Sequence, residues 1–342
     1  VAEAVMVSPD KILKELSKLW VDLGHEDQDQ NTPGEPGSGV LRACAMTLIT
    51  ISDETEDPTN LGETIAMLIK DHPSRSVLVR IRDKGDQPLD SRVFAQCWMP
   101  LGQHRQICCE QIEITACANR LDDVPGVVLP LTVPDLPVIL WNRSTKLLDT
   151  EAFPAIAAIA DKLIMDSTTG ADAKSALDLV SKQISEGRLV ADLAWARITR
   201  WRETVSQIFV NDECLNALSS YSEARVEFGT EKPRTEALYL AAWLQNGLEK
   251  VGNKVKVQLV HADGPPVVGV ALGVALSRGS QACDLTIHSD IKGSVEVHAN
   301  RLEDRTVFPE ATDYLALQEE LSITGHDPQF EAALPIALSL AA

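Results

Sequence analysis

The chain has 342 residues, 44% of them apolar, and its 50 acidic against 31 basic side chains give a formal net charge of −19. That length can bury a substantial core and favours two domains over one. The acidic excess argues against the dense Lys/Arg surface that a phosphate backbone requires and would repel anionic membranes, so neither nucleic acid nor a membrane is an expected partner. No uninterrupted apolar run reaches the roughly 18 residues of a spanning helix, so a soluble protein is expected.

Near the N-terminus, Ile12, Leu13, Leu16, Leu19 and Trp20 share one helical face, while Asp10, Lys11, Lys14, Glu15 and Lys18 break up any secretory apolar core. Residues 24–39 carry Glu26, Asp27, Asp29, Pro33, Glu35 and Pro36 and read as a solvated connection, setting residues 1–39 apart as a helical arm and acidic linker. A buried strand over 43–51, a helix over 61–70 and a strand over 77–82 then suggest a βαβ unit. Further strands are predicted at 93–98, 107–116 and 138–141, and a helix over 152–165 would close an α/β domain spanning 40–170. Ser167, Thr168, Thr169 and Gly170 supply loop chemistry for the boundary.

Residues 171–342 begin with three predicted helices, at 171–185, 192–209 and 236–251. Strands over 255–261, 267–276, 283–288 and 294–299 follow, separated by Asp-Gly, Arg-Gly and Lys-Gly turn signals. The expected second domain is α+β with an antiparallel sheet. The apolar tail 331–342, interrupted by Pro335, is expected to pack on a domain surface.

The seven cysteines, an odd number with no C-x-x-C pair, point to a reducing compartment and remove the usual support for zinc-ribbon or thioredoxin chemistry. Adjacent Cys108 and Cys109 read as small buried hydrophobes on opposite faces of a strand, with a redox role as the alternative. The seven histidines are scattered, and none faces another at i, i+4. P-loop, dinucleotide-binding, nucleophile-elbow and H-E-x-x-H patterns are all missing. No catalytic residue, cofactor or metal is therefore assigned, and a non-enzyme is expected.

The segment from Asp192 to Arg202 is the most informative. Asp192 is placed to cap a helix whose apolar stripe runs through Ala194, Ile198, Trp201, Val205 and Ile208, and Arg197 lies one turn from Trp201 where it could stack on the indole. Trp195, Trp201, Arg197 and Arg202 are either core anchors paired with acids elsewhere or a recognition surface rich in hot-spot residue types. The Arg-rich window 188–202 could equally hold a sugar phosphate, which would make the protein an enzyme or a sensor. His72-Pro73-Ser74-Arg75 reads as a helix stop before a strand, with an anion-contacting loop through Ser74 and Arg75 as the alternative. The prolines of 130–141 would fix a rigid lead into a buried strand.

Taken in order, Met46-Thr47-Leu48, His72-Pro73-Ser74-Arg75, Pro134-Asp135-Leu136-Pro137-Val138 through Trp141, Asp192-Leu193-Ala194-Trp195 with Arg197, Trp201 and Arg202, and Leu240-Ala241-Ala242-Trp243-Leu244 resemble the OpcA family across both expected domains. The resemblance implies a cytoplasmic, non-catalytic protein that assembles and activates glucose-6-phosphate dehydrogenase in the oxidative pentose phosphate pathway. It implies no catalytic residues.

Overall fold

The computed structural model describes residues 8–29, 40–101, 105–148, 150–170, 172–262, 273–279, 285–289, 294–299 and 302–342. The chain divides into two compact units, Val1–Met165 and Asp166–Ala342. The first contains α1 (Pro9–Asp29), β1 (Val40–Arg42), β2 (Met46–Asp53), α2 (Pro58–Asp71), β3 (Ser74–Arg82), β4 (Asp90–Trp98), β5 (Gln106–Cys117), α3 (Val124–Val128), β6 (Val138–Asn142), α4 (Thr145–Leu148), α5 (Ala152–Ala157) and β7 (Lys162–Met165).

Its strands lie in the order β1-β5-β3-β2-β6-β7, all parallel, and β4 adds to β5 antiparallel. β2 is buried along nearly its whole length, as expected for a parallel strand covered on both faces. The βαβ unit is β2-α2-β3, with Met46 opposite Ser74 and Asp53 opposite Ile81. Asp57 caps α2 by accepting from the Thr59 amide, Pro58 fits the first turn, and Leu61, Ile65, Leu68 and Ile69 fill its buried face. Each such side chain contributes roughly 1.5–3 kcal/mol by leaving water. Asp135 takes the left-handed region at φ 64, which the short Asp side chain tolerates, in the turn leading to β6.

Three expectations change in this unit. The N-terminal helix runs on to Asp29, so residues 24–29 are helical, because a charged sequence suits a helix as well as a coil; residues 30–39 lie outside the described part. Nor is it an arm: Ile12 and Leu16 are buried, and the Trp20 indole donates to Glu110 of β5 at 2.6 Å. The helix predicted over 152–165 stops at Ala157, and Lys162–Met165 is instead a strand paired with β6. A short apolar run satisfies either period, and pairing with β6 decides it. Finally, Cys97 and Cys108 form a disulfide, whereas Cys108 was expected as a free small hydrophobe. The antiparallel register sets the two directly opposite each other on β4 and β5, a juxtaposition hidden by their 11-residue separation.

The second unit contains α6 (Ala173–Ser185), β8 (Val190–Asp192), α7 (Leu193–Arg197), α8 (Thr199–Ile208), α9 (Asp212–Ala217), β9 (Glu223–Phe228), α10 (Thr235–Lys250), β10 (Val257–His261), β11 (Gly273–Ser277), β12 (Leu285–Ser289), β13 (Ser294–Ala299), β14 (Leu302–Val307), α11 (Asp313–Ser322) and α12 (Pro328–Leu340). Its sheet, β10-β9-β11-β12-β13-β14, is mixed rather than wholly antiparallel. β10 runs parallel to β9 because α10 is the crossover between them, while the successive neighbours β9, β11, β12, β13 and β14 pair antiparallel. The Asp-Gly and Lys-Gly turn signals, and Cys283, lie outside the described residues.

α10 is buried almost all round, with Leu238, Tyr239, Leu240, Ala241 and Ala242 fully enclosed. The apolar tail forms α12, which packs on α10 through an interior containing Phe330, Ala333, Leu334 and Ala337. The helix expected over 192–209 breaks at Ile198 (φ −94, ψ 6) into α7 and α8. Among the described residues, no helix is long and apolar enough to cross a membrane.

Candidate functional site

The Asp192 to Arg202 segment lies inside the second unit. Asp192, fully buried, receives the Ser167 and Ala194 amides, both at 3.0 Å, and the Tyr239 hydroxyl at 2.8 Å, so the expected helix cap is present and has two further donors. Burial still outweighs these donors and pushes the Asp192 carboxyl above its ordinary range, with the nearby Asp166 charge adding to the rise. Tyr239 is pushed well up by the same burial and by Asp192.

Arg197 makes a two-pronged contact with Asp166, at 2.9 and 2.7 Å, and reaches Asp313 at 2.6 Å. Burial alone would raise the Asp166 carboxyl, but Arg197, through hydrogen bonds and charge, and Thr168 hold it below the usual range. Burial would likewise lower Arg197, and the two carboxylates more than reverse that. Trp195 donates to Asp327 at 2.8 Å and meets Tyr239 and Phe330 edge-on or tilted, with ring centroids under 6 Å apart. Trp201 packs its edge on Phe308.

The expected stacking partners are exchanged. Arg202, not Arg197, lies over an indole, 3.8 Å from the Trp195 ring centre, because the break at Ile198 reorients α8. Arg202 also donates to Thr199 at 2.6 Å and faces Glu319. Arg188 meets Gln183 and Glu186, and the exposed Arg200 meets Glu203. Asp192, Trp195, Arg197, Trp201 and Arg202 are thus gathered in a buried ionic and aromatic core, which the short period of the sequence pattern did not distinguish from a surface patch. The arginines of 188–202 have acceptors within the unit and do not form an open phosphate cradle.

In the first unit, Ser74 and Arg75 belong to β3 and not to an anion-binding loop. Ser74 shares a hydrogen bond with Ser76, and Arg75 donates to Glu110 at 2.6 Å and to the Leu131 carbonyl at 2.9 Å. His72 caps the C-terminus of α2, its amide donating to the Leu68 carbonyl. Cys109 is buried and donates to the Ala43 carbonyl, and burial pushes its thiol up to about 11, which disfavours the thiolate at neutral pH. Among the described residues, no group of three or more His, Cys, Asp or Glu side chains is gathered as a metal-ligand set.

What the sequence reading missed is a cavity of about 440 Å³ in the second unit, lined by Ser167, Thr168, Lys174, Lys232, Arg234 and Thr235 among others. Its polar residues come from two stretches, 167–174 and 232–235, each reading alone as a loop and a helix start, so only the Arg-Thr pair at the head of α10 offered any signal.

Residues 65–182 match the glucose-6-phosphate dehydrogenase subunit N-terminal domain and residues 188–334 the C-terminal domain of the same subunit, both OpcA families. The chain is 27% identical over 292 residues to a putative OxPP cycle protein OpcA of Nostoc punctiforme, covering 75% of this chain and 62% of that one. The corresponding Synechocystis protein is 23% identical over 194 residues, covering 56% and 40%. The chain therefore spans less than two thirds of the length of these curated relatives. Among solved structures, a dehydrogenase from Chromobacterium violaceum aligns with 85% of this chain and 92% of its own at a TM-score of 0.45 and 10% identity. A Synechocystis biliverdin reductase aligns with 86% and 96% at 0.43 and 10%. Likeness at that level carries no conclusion about chemistry. With both parts matched over more than half its length, the chain belongs to the OpcA family of glucose-6-phosphate dehydrogenase subunit proteins.

Proposed function

We propose that this chain is a non-catalytic, cytoplasmic partner that binds glucose-6-phosphate dehydrogenase and favours its active, assembled form. The observation that carries the reading is the pair of subunit-domain matches, over 65–182 and 188–334. The interior chemistry supports it: the acids and arginines marked by the sequence are bonded to one another, as in a scaffold. Activation requires only that the chain bind the active form more tightly than the inactive one, because differential affinity is what shifts an equilibrium. Mixing the purified protein with its cognate dehydrogenase at low enzyme concentration should raise activity and move the enzyme to an earlier elution volume. Unchanged activity and unchanged elution would overturn the proposal.

A further inference from the structure

We propose that the second unit also binds a small phosphate-bearing anion, in the cavity at the N-terminus of α10. Anion binding there does not require that the chain bind the dehydrogenase. The first turn of a helix leaves its leading amides without intrahelical acceptors and carries a partial positive charge. α10 is 16 residues long, and its N-cap is Arg234, whose side chain makes no capping bond. The N-cap side chain thus takes none of the leading amides, although Glu236 in the first turn accepts from its own backbone amide.

Two hydroxyls point to a ligand independently of the helix end. Thr235 is 1% and Ser167 5% exposed, both line the cavity, and the hydroxyl oxygens of both are buried without a hydrogen-bond partner. A buried unsatisfied hydroxyl costs about 1–3 kcal/mol. An oxyanion seated beside either one would relieve it, since each hydroxyl can donate and an oxyanion only accepts.

The charges agree. In a chain of net charge −19, three cations, Lys174, Lys232 and Arg234, line this one cavity against a single carboxylate, Asp172. Asp172 is committed to capping α6, accepting from the Ser175 amide at 2.9 Å. Lys174 leans toward Asp178, while Arg234 lies 3.6 Å from Glu236. Glu236 does not line the cavity, and its burial favours the neutral acid, which limits the opposing charge. Pro233, Leu238, Leu340 and Ala341 supply an apolar wall, and about 440 Å³ falls within the range of small-molecule sites. The chemistry fits a phosphate head held by the helix end and cations, with a short carbon body against the wall.

The test is thermal unfolding of the full chain with inorganic phosphate, with glucose 6-phosphate as a sugar phosphomonoester, and with glucose as the uncharged control. Phosphate and the ester should each raise the midpoint saturably and glucose should not; a larger effect of the ester identifies a phosphomonoester as the better ligand, and equal effects identify free phosphate. Lys232→Ala with Arg234→Ala changes two side chains that are not buried, and should weaken apparent affinity by about tenfold or more while leaving the ligand-free midpoint near wild type. Thr235→Val, a near-isosteric change at a buried position, should weaken binding without loss of fold. No saturable shift with either phosphate compound, an equal shift with glucose, or full binding by the Lys232/Arg234 variant would each overturn the proposal.

Discussion

Each unit buries an arginine in its interior, and the two solve the charge problem with opposite stoichiometry. In the first, one carboxylate serves two guanidiniums: Glu110, 4% exposed, meets Arg75 at 2.6 Å and Arg42 at 2.7 Å. In the second, one guanidinium serves two carboxylates, Arg197 meeting Asp166 at 2.7 Å and Asp313 at 2.6 Å. In both, the surplus partner sits toward water, Arg42 being 50% and Asp313 28% exposed, so the interior stays close to neutral. The consequence differs. A carboxylate left without its partner can take up a proton, whereas a guanidinium keeps its charge at any accessible pH.

The largest expected effect comes from breaking the second cluster. Arg197→Ala leaves Asp166 buried without its cation and should cost about 3–5 kcal/mol in urea unfolding at pH 7. In the wild type the Asp166 carboxyl is held below its ordinary value of 3.8, so its contribution is present above that pH and is lost as the pH falls through the depressed value. The variant lacks that contribution, and its protonated Asp166 is no longer penalised, so the deficit should shrink toward pH 3. Glu110→Gln should cost about 3 kcal/mol at pH 7, and acidification should not restore it by neutralising the partners left behind, because Arg42 and Arg75 stay charged. It also leaves one amide oxygen where two carboxylate oxygens served Trp20, Arg42 and Arg75, so the Trp20 bond should weaken and amides of α1 should exchange hydrogen faster. Parallel acid rescue in both variants would break the contrast.

Glu236 sharpens the comparison, since it is a buried carboxylate whose nearest cation, Arg234, is 41% exposed. Burial pushes it from 4.5 to about 7, opposed by Arg234 and Arg197. For an acid raised in the folded state, the associated stability is fully present below pH 4.5 and is lost as the pH rises to about 7. Glu236→Gln stays neutral and should therefore match the wild type below pH 4.5 and exceed it above pH 7, by on the order of 3 kcal/mol at most. An identical stability–pH profile for the two proteins would show that Glu236 is not so displaced. The smallest effect is expected at Arg200, which shares a helix with Arg202 but is 65% exposed and paired one turn away with Glu203. Arg200→Ala should shift stability by less than about 0.5 kcal/mol.

Much of the first unit was legible because parallel strands and an amphipathic helix leave long signals: β2, α2, β3, β5 and β6 all fall where apolar runs and the 3.6-residue period place them. The short elements were not. β7, β9 and β14 have few residues each; the stretch Glu-Ala-Arg-Val-Glu-Phe of β9 does alternate as a half-buried strand should, but six residues between helices are too short a window for that period to stand out. Of the two readings open for the Arg/Trp segment, the structure has the core one: Trp195 is buried and Arg197 pairs with acids elsewhere in the unit, although both have the composition of a hot spot. The cavity gave almost no local signal, because its polar lining is split between residues 167–174 and 232–235, about 60 positions apart in the chain.

By itself, the sequence determined the charge of the protein, its two-part α/β then α+β construction, the cap at Asp192 and the family resemblance, since all of these depend on local order and composition. Only the tertiary structure decided that β10 joins its sheet parallel, that Cys97 faces Cys108, that the Arg/Trp segment turns inward and that two residues with unpartnered hydroxyls line one cavity. Each of these is a juxtaposition across the chain, fixed by register and packing, to which no local period or propensity refers.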